Sequence, residues 1–296
     1  MRTPLIRLHV DAPGEIWLKL ENLQPIASFK IRGAANAVRQ ADPAELQAGL
    51  VTASAGNMAQ GVSWIARELG LPATIVVPEH APDTKVAAIE RLGGSVKRVP
   101  YADWWRAIEE KRVEGVDGFF IHPVSDERVM AGNGTIGLEL LEDLPDLDTV
   151  LVPYGGGGLV TGIASALRAH KPEARIFAVE PDTAAALNGA LAAGEPTEVD
   201  FTPSWVDGSG SRSVLPDMWA RVRELIDGAF TATLDETAAA VRLLAERTRV
   251  IAEGAGALAP AAALAGRAGG EKIVCVVSGG NIDLSVLTPI LGGHAP

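Results

Sequence analysis

The chain has 296 residues, 47% of them hydrophobic and 21% charged, the make-up of a globular protein with room for one large or two ordinary domains. Its net charge of −11 argues against nucleic acid or an anionic membrane surface as a partner. No stretch supplies the ~18 uncharged apolar residues of a membrane span, and residues 1–7 lack the apolar run of a secretory signal, so the cytoplasm is the expected compartment.

In chain order, residues 16–21 read as a short strand and 22–25 as a turn. Ser28 is read as the N-cap of the helix that follows, which places Lys30 in its first turn. A cation there sits at the wrong end of the helix dipole, at a cost of a few tenths of a kcal/mol to ~1. The same position lowers a lysine's pKa, which suits an amine that must act in its neutral form. A solvated surface lysine is the commoner reading of any single Lys, and only its company changes that. Strands at 49–53, 73–78, 96–99 and 118–121 then alternate with helices at 58–69, 83–92 and 104–113. Such alternation marks a largely parallel sheet covered by helices, an α/β fold. A helix over 132–141 precedes an apolar strand at 150–152, and a helix ending near His170 comes next. Residues 175–179 read as a strand, 184–193 as a helix, and 195–216 as a polar, Gly- and Ser-rich loop, either substrate-facing or an ordinary surface excursion. Helices over 235–249 and 255–265 lead to the last core strand, 272–277. The one cysteine, Cys275, lies in that strand as a small core residue, and its solitude excludes a disulfide framework and a cysteine-based zinc site.

Gly155, Gly156, Gly157 and Gly158 stand between an apolar strand and a helical pattern opening at Leu159. Glycines there let the backbone turn tightly and aim successive N–H groups at one point, where the helix adds its positive end: an anion site. A flexible linker is the bland alternative, but a linker is not normally clamped between strand and helix. A Gly-Lys-Ser/Thr ending is missing, and the glycines are contiguous where a dinucleotide fingerprint spaces them, so the expected ligand is a phosphate monoester of another kind. Polar or Gly-rich turns close three strands, at 54–57, 155–158 and 278–281. Ligands of open α/β sheets bind at such strand ends, which argues for one composite site. The five histidines show no metal-ligand spacing, and a Gly-x-Ser-x-Gly elbow is absent. The loose Gly-x-Gly-x-x-Ala match at 254–259 follows a helix, so close helix packing is its better reading.

A lysine, a phosphate cradle and polar strand ends together suit pyridoxal 5'-phosphate, whose aldehyde needs a lysine and whose phosphate needs a cradle. At this point the chain resembles the serine/threonine dehydratase (threonine ammonia-lyase) family of fold-type II, tryptophan-synthase-β-like enzymes. The resemblance rests on Glu21-Asn22-Leu23-Gln24-Pro25, Ser28-Phe29-Lys30-Ile31-Arg32-Gly33-Ala34, Ser54-Ala55-Gly56-Asn57, Gly155-Gly156-Gly157-Gly158-Leu159 and Ser278-Gly279-Gly280-Asn281. Thr3-Pro4-Leu5, Ala131-Gly132-Asn133-Gly134-Thr135 and Val179-Glu180-Pro181 extend it in the right order across essentially the whole chain.

The resemblance implies two α/β domains, a discontinuous cofactor-binding one from residues 1–46 and 126–296 and a smaller one from 47–125, and a homodimer. It implies that Lys30 forms the Schiff base with the cofactor and later removes the substrate's α-proton, and that Phe29 packs beside the cofactor ring. Asn57 corresponds to the side chain bonded to the cofactor's 3′-oxygen, and Ser54, Ala55, Gly56 and Asn57 to the loop that meets the substrate carboxylate. Gly155, Gly156, Gly157, Gly158 and Leu159 correspond to the phosphate loop, and Ser278 to the partner of the pyridine nitrogen. The implied reaction is β-elimination from a hydroxy amino acid, L-threonine or L-serine, giving a 2-oxo acid and ammonia. Four departures stand out. Met58 replaces the usual His, Ala27 the usual Gly before Ser-Phe-Lys, and Ala55 the serine base of racemising members. Glu180 matches one ligand of the family's divalent-cation site, but Ala186 replaces its acidic partner, so no strong metal site is expected. The chain stops at Pro296 without the regulatory domain of biosynthetic threonine enzymes, so control by isoleucine is not expected. The competing readings are dehydration of an unusual hydroxy amino acid such as an aryl serine, a β-replacement enzyme, and a non-catalytic cofactor-binding protein.

Overall fold

The computed structural model describes residues 1–296. The chain opens with β1 (Leu5–Leu8) and β2 (Glu15–Leu20), then α1 (Lys30–Gln40). The alternating stretch follows: β3 (Leu50–Ala53), α2 (Asn57–Leu69), β4 (Ala73–Pro78), α3 (Asp83–Arg91), β5 (Ser95–Val99), α4 (Tyr101–Glu110) and β6 (Phe119–Phe120). After α5 (Glu127–Asp143) come β7 (Thr149–Pro153), α6 (Gly158–His170), β8 (Arg175–Pro181), α7 (Ala186–Ala193), α8 (Pro216–Val222) and β9 (Gly228–Ala232). The chain closes with α9 (Leu234–Thr248), α10 (Gly254–Leu264), β10 (Lys272–Val277) and α11 (Leu284–Leu291).

Two compact units result, one of Met1–Ala27 with Gly134–Pro296 and one of Ser28–Asn133. The sequence reading set the divisions at 46/47 and 125/126. The contacts set them at 27/28 and 133/134, so α1 counts with the smaller unit.

The larger unit holds a six-stranded sheet in the order β1-β2-β10-β7-β8-β9. It is parallel except for β1, which runs antiparallel to β2. Strand β10 reads Lys-Ile-Val-Cys-Val-Val and is buried from Ile273 onward, the continuous apolar run of a strand covered on both faces. Helix α10 is buried along nearly its whole length, so its alanines and glycines face neighbours all round instead of forming one stripe. Gly256 lies so close to the Gly279 carbonyl that a Cβ would collide with it. Close helix packing is therefore what the Gly-Ala-Gly run does. One buried charge braces this unit. Lys19 is fully buried in β2, pairs with Glu139 at 2.6 Å and donates to the Thr3 carbonyl at 2.7 Å.

The smaller unit holds a four-stranded parallel sheet in the order β5-β4-β3-β6. Its core joins Ala34, Ala37 and Val38 of α1, Val62 and Ala66 of α2, and Ile75 and Val77 of β4. Four elements were not anticipated from sequence: β1, α8, β9 and α11. Strand β9 is a half-buried edge strand with little apolar pattern, and the Pro289 inside α11 conceals an eight-residue helix capped by Asp283.

Candidate active site

In the smaller unit, Lys30 is the first residue of α1. Ser28 does not cap that helix as expected. Phe29, itself in helical conformation, occupies the cap position. The buried Ser28 hydroxyl instead accepts a long bond, 3.4 Å, from the Lys30 N–H. The Lys30 ammonium lies 5.1 Å from the centre of the Phe29 ring and donates to the Pro123 carbonyl at 2.7 Å. Pro123 follows β6, and β6 pairs in parallel with β3 through Val51 and Phe120. The Thr52 hydroxyl donates across to the Ile121 carbonyl at 2.8 Å. Residues 54–57 and 121–123 therefore leave the same edge of one sheet, and Lys30 reaches that edge.

Ser54, Ala55, Gly56 and Asn57 form a half-buried turn that ends where α2 begins at Asn57. The Ser54 hydroxyl accepts from the Gly56 N–H at 3.2 Å, closing the turn upon itself. A 13-residue helix starting there gives the turn a positive end suited to a carboxylate. Met58, where the family has His, is buried among Ala34, Val62 and Ile121 in the core. That departure is a matter of core packing.

Ala27 occupies the left-handed region, φ 53°, which explains the Gly usual at this place. Its N–H donates to the Gln24 carbonyl at 2.7 Å, and its carbonyl accepts from the Gly280 N–H at 2.9 Å.

In the larger unit, β7 and β10 are parallel neighbours in register at Leu151 and Cys275. Their C-terminal ends carry Gly155, Gly156, Gly157 and Gly158 on one and Ser278 on the other. The three polar turns therefore do not share one sheet edge, as the sequence reading had it: two belong to the six-stranded sheet and the third to the four-stranded one. Gly157 has φ 94° and stands before α6, where Leu159 is buried. A Cβ on Gly157 would lie 3.1 Å from the Tyr154 ring and 3.2 Å from the Met218 methyl, so the loop is seated against packed side chains. Part of the 195–216 loop fixes it from another side. The Ser209 hydroxyl and the Gly210 N–H both donate to the Tyr154 carbonyl.

Two buried hydroxyls bracket the glycine run in sequence, those of Tyr154 and Thr161, and neither finds a protein partner. Burial, with the charge of Glu180 as a lesser cause, pushes the Tyr154 phenol well above its ordinary range, so it stays protonated. A strand-to-helix turn of glycines, a helix N-terminus and two unsatisfied hydroxyls fit a phosphate monoester. Sequence gave no sign of Tyr154 or Thr161, because neither motif nor spacing reports which hydroxyls are buried. Ser278 is buried at the end of β10. Gly279 beside it accepts from the Glu253 N–H at 3.0 Å, and the Asn281 amide donates to the Ile26 carbonyl at 2.8 Å.

A divalent cation does not fit Glu180. Its carboxylate accepts from the Leu187 and Asn188 N–H groups and from the Asn188 side-chain amide, each at 2.9 Å. The carboxylate closes the N-terminal turn of α7, and Ala186 brings no second charge. Burial raises the Glu180 pKa, against the pull of those same donors.

A lysine at a helix start, a polar turn opening a second helix and a glycine run between strand and helix lie on parallel α/β sheets, the architecture of the fold-type II class of pyridoxal-phosphate enzymes. The family described as pyridoxal-phosphate dependent enzyme matches residues 1–279, and the chain belongs to it. The chain is 39% identical over 285 residues to an L-threonine ammonia-lyase of Thermotoga maritima, covering 94% of this chain and 70% of that one. To the catabolic L-threonine dehydratase TdcB of Escherichia coli K12 it is 41% identical over 286 residues, 94% of this chain and 86% of the other. Among solved structures, maize serine racemase superposes with a TM-score of 0.89 at 32% identity, covering 99% of this chain and 92% of that one.

Proposed function

We propose that this chain deaminates L-threonine and L-serine by β-elimination, releasing a 2-oxo acid and ammonia. The observation that carries the reading is Lys30. It opens α1 with its ammonium 2.7 Å from a carbonyl at the strand-end edge, in a chain 41% identical to an L-threonine dehydratase. Bound pyridoxal phosphate supplies an electron sink that labilises the α-proton and the β-substituent of an amino acid. Lys30 would anchor it and take the α-proton at Nζ, and Phe29 would lie along the ring. Asn57 would bond the 3′-oxygen, while Ser54, Ala55 and Gly56 with the start of α2 would receive the substrate carboxylate. Gly155, Gly156, Gly157, Gly158 and Leu159 hold the phosphate at the positive end of α6. The buried Ser278 hydroxyl would be the partner of the pyridine nitrogen. A hydroxyl there would not hold that nitrogen protonated as a carboxylate would, which would suit elimination of a β-substituent. Ala55 offers no base, which speaks against racemisation as the main activity.

The division of labour follows the two sheets. Residues 1–46 and 126–296 are proposed as the phosphate-holding body and 47–125 as the smaller one. A homodimer is proposed from the family resemblance, and Leu23 and Ile251 are exposed apolar side chains available to an interface. A reducing cytoplasm suits the one buried cysteine.

The test is 2-oxo acid release from L-threonine, L-serine, D-serine and a β-aryl serine by purified, cofactor-loaded protein. Fast 2-oxobutanoate from L-threonine is expected. Silence on threonine and serine with turnover of the aryl substrate would overturn the substrate assignment. Lys30→Ala is expected to lower turnover by about 10²–10⁴ or more, and near-normal turnover in that variant would refute the role of Lys30.

A further inference from the structure

His122 is buried beside the lysine, and no motif singled it out. Its Nδ1 accepts from the N–H of Val124 at 3.0 Å and from the N–H of Ser125 at 2.8 Å. Accepting from the second and third residues ahead is the bonding pattern of an Asx turn, made here by an imidazole. A nitrogen that accepts two N–H groups carries no proton, so the ring is neutral with its hydrogen on Nε2.

The Val124 N–H and the Pro123 C=O belong to one peptide group. That group is planar and trans, so its N–H and C=O point in opposite directions. His122 holds the N–H end at 3.0 Å, and the Lys30 ammonium holds the carbonyl end at 2.7 Å. We infer that His122 is a positioning residue, which clamps the 123–124 peptide plane so that its carbonyl is aimed at Lys30 Nζ. The inference rests on Lys30 being the reacting amine.

The consequence is a fixed place for a proton. When Lys30 has taken the α-proton, Nζ is an ammonium, and the aimed carbonyl accepts one of its three N–H groups. The same plane carries the polarisation onward, because an N–H already bonded to imidazole makes the carbonyl at its other end a better acceptor. Helix α1 acts in the opposite sense, since its N-terminal end disfavours the cation at Lys30. The two effects oppose each other at Nζ, where a residue that takes a proton and gives it back must act.

The test compares His122→Leu, which removes the acceptor, with His122→Asn, whose side-chain oxygen accepts the same two N–H groups in the usual Asx geometry. The first readout is acetylation of Lys30 in the full chain stripped of cofactor, followed by peptide mass spectrometry with surface Lys97 as internal reference. His122→Leu is expected to speed Lys30 acetylation about tenfold, the worth of one hydrogen bond to a charged group, while His122→Asn stays within about twofold of the parent. The second readout is kcat against KM in the loaded protein: kcat falls about tenfold in His122→Leu with KM little changed, and His122→Asn recovers it. Unchanged acetylation in a folded His122→Leu variant would overturn the clamp. Should that variant not fold, amide exchange at Val124 in the parent decides. Protection matching β3 is expected, and exchange at the rate of an open loop refutes the clamp. If the parent itself releases no 2-oxo acid, the proposed function fails while the acetylation comparison still judges His122.

Discussion

Replacing Ala27 by glycine should stabilise the protein, although glycine usually does the reverse. Ala27 has φ 53°, and an L-residue in the left-handed region costs about 1–2 kcal/mol. Glycine relieves that strain but loses about 0.4–1 kcal/mol by enlarging the entropy of the unfolded chain. The strain term wins, for a net gain of roughly 0.5–1 kcal/mol. Both flanking bonds, to Gln24 and from Gly280, use backbone atoms and survive the change. At about 2.1 cal/mol/K per residue, a chain of 296 residues has an unfolding entropy of roughly 0.6 kcal/mol/K, so the gain appears as a rise in Tm of about 1–2 °C. Differential scanning calorimetry of the loaded protein reads it, with turnover expected to stay at parent level. A fall in Tm would refute the reasoning, because it would mean that the left-handed backbone carries no strain.

The glycine loop before α6 and the Glu180 cluster yield the remaining predictions. Gly157→Ala should cost about 1–3 kcal/mol of loop geometry, because φ is 94° and the new methyl meets Tyr154 and Met218. The expected reading is weaker cofactor retention on dialysis, and retention equal to the parent would contradict the seating described. Glu180→Ala leaves the N–H groups of Leu187 and Asn188 without their acceptor, a loss of about 2–4 kcal/mol in urea unfolding. That loss should also depend on pH. Because burial raises the folded-state pKa of Glu180 above its ordinary 4.5, its contribution is fully present below that value and shrinks as pH rises through the folded-state pKa. The gap between parent and variant is therefore larger at pH 4 than at pH 8, and a gap that widens with pH would reverse the assignment. Chelation by EDTA should leave Tm and turnover of the parent unchanged, since three N–H donors already occupy that carboxylate. A drop in either on chelation would show a cation at work.

Local chemistry made much of this protein legible in its sequence. The alternation of apolar runs with helical patterns yields the parallel sheets, and a glycine run between strand and helix marks the turn into α6 proposed as the phosphate loop, because tight turns and helix ends depend on neighbours a few residues apart. The same locality placed Lys30 in the first turn of α1. Tertiary structure decided what depends on partners far along the chain. It distributed the three polar turns over two sheets, put Met58 into a core and buried Lys19 against Glu139, 120 residues away. It also brought the Pro123 carbonyl to Lys30 across 93 residues. Such pairings arise when distant segments meet and exclude water. A buried ion pair, a filled carboxylate or an aimed carbonyl therefore leaves no periodic trace, and only the packed chain shows it.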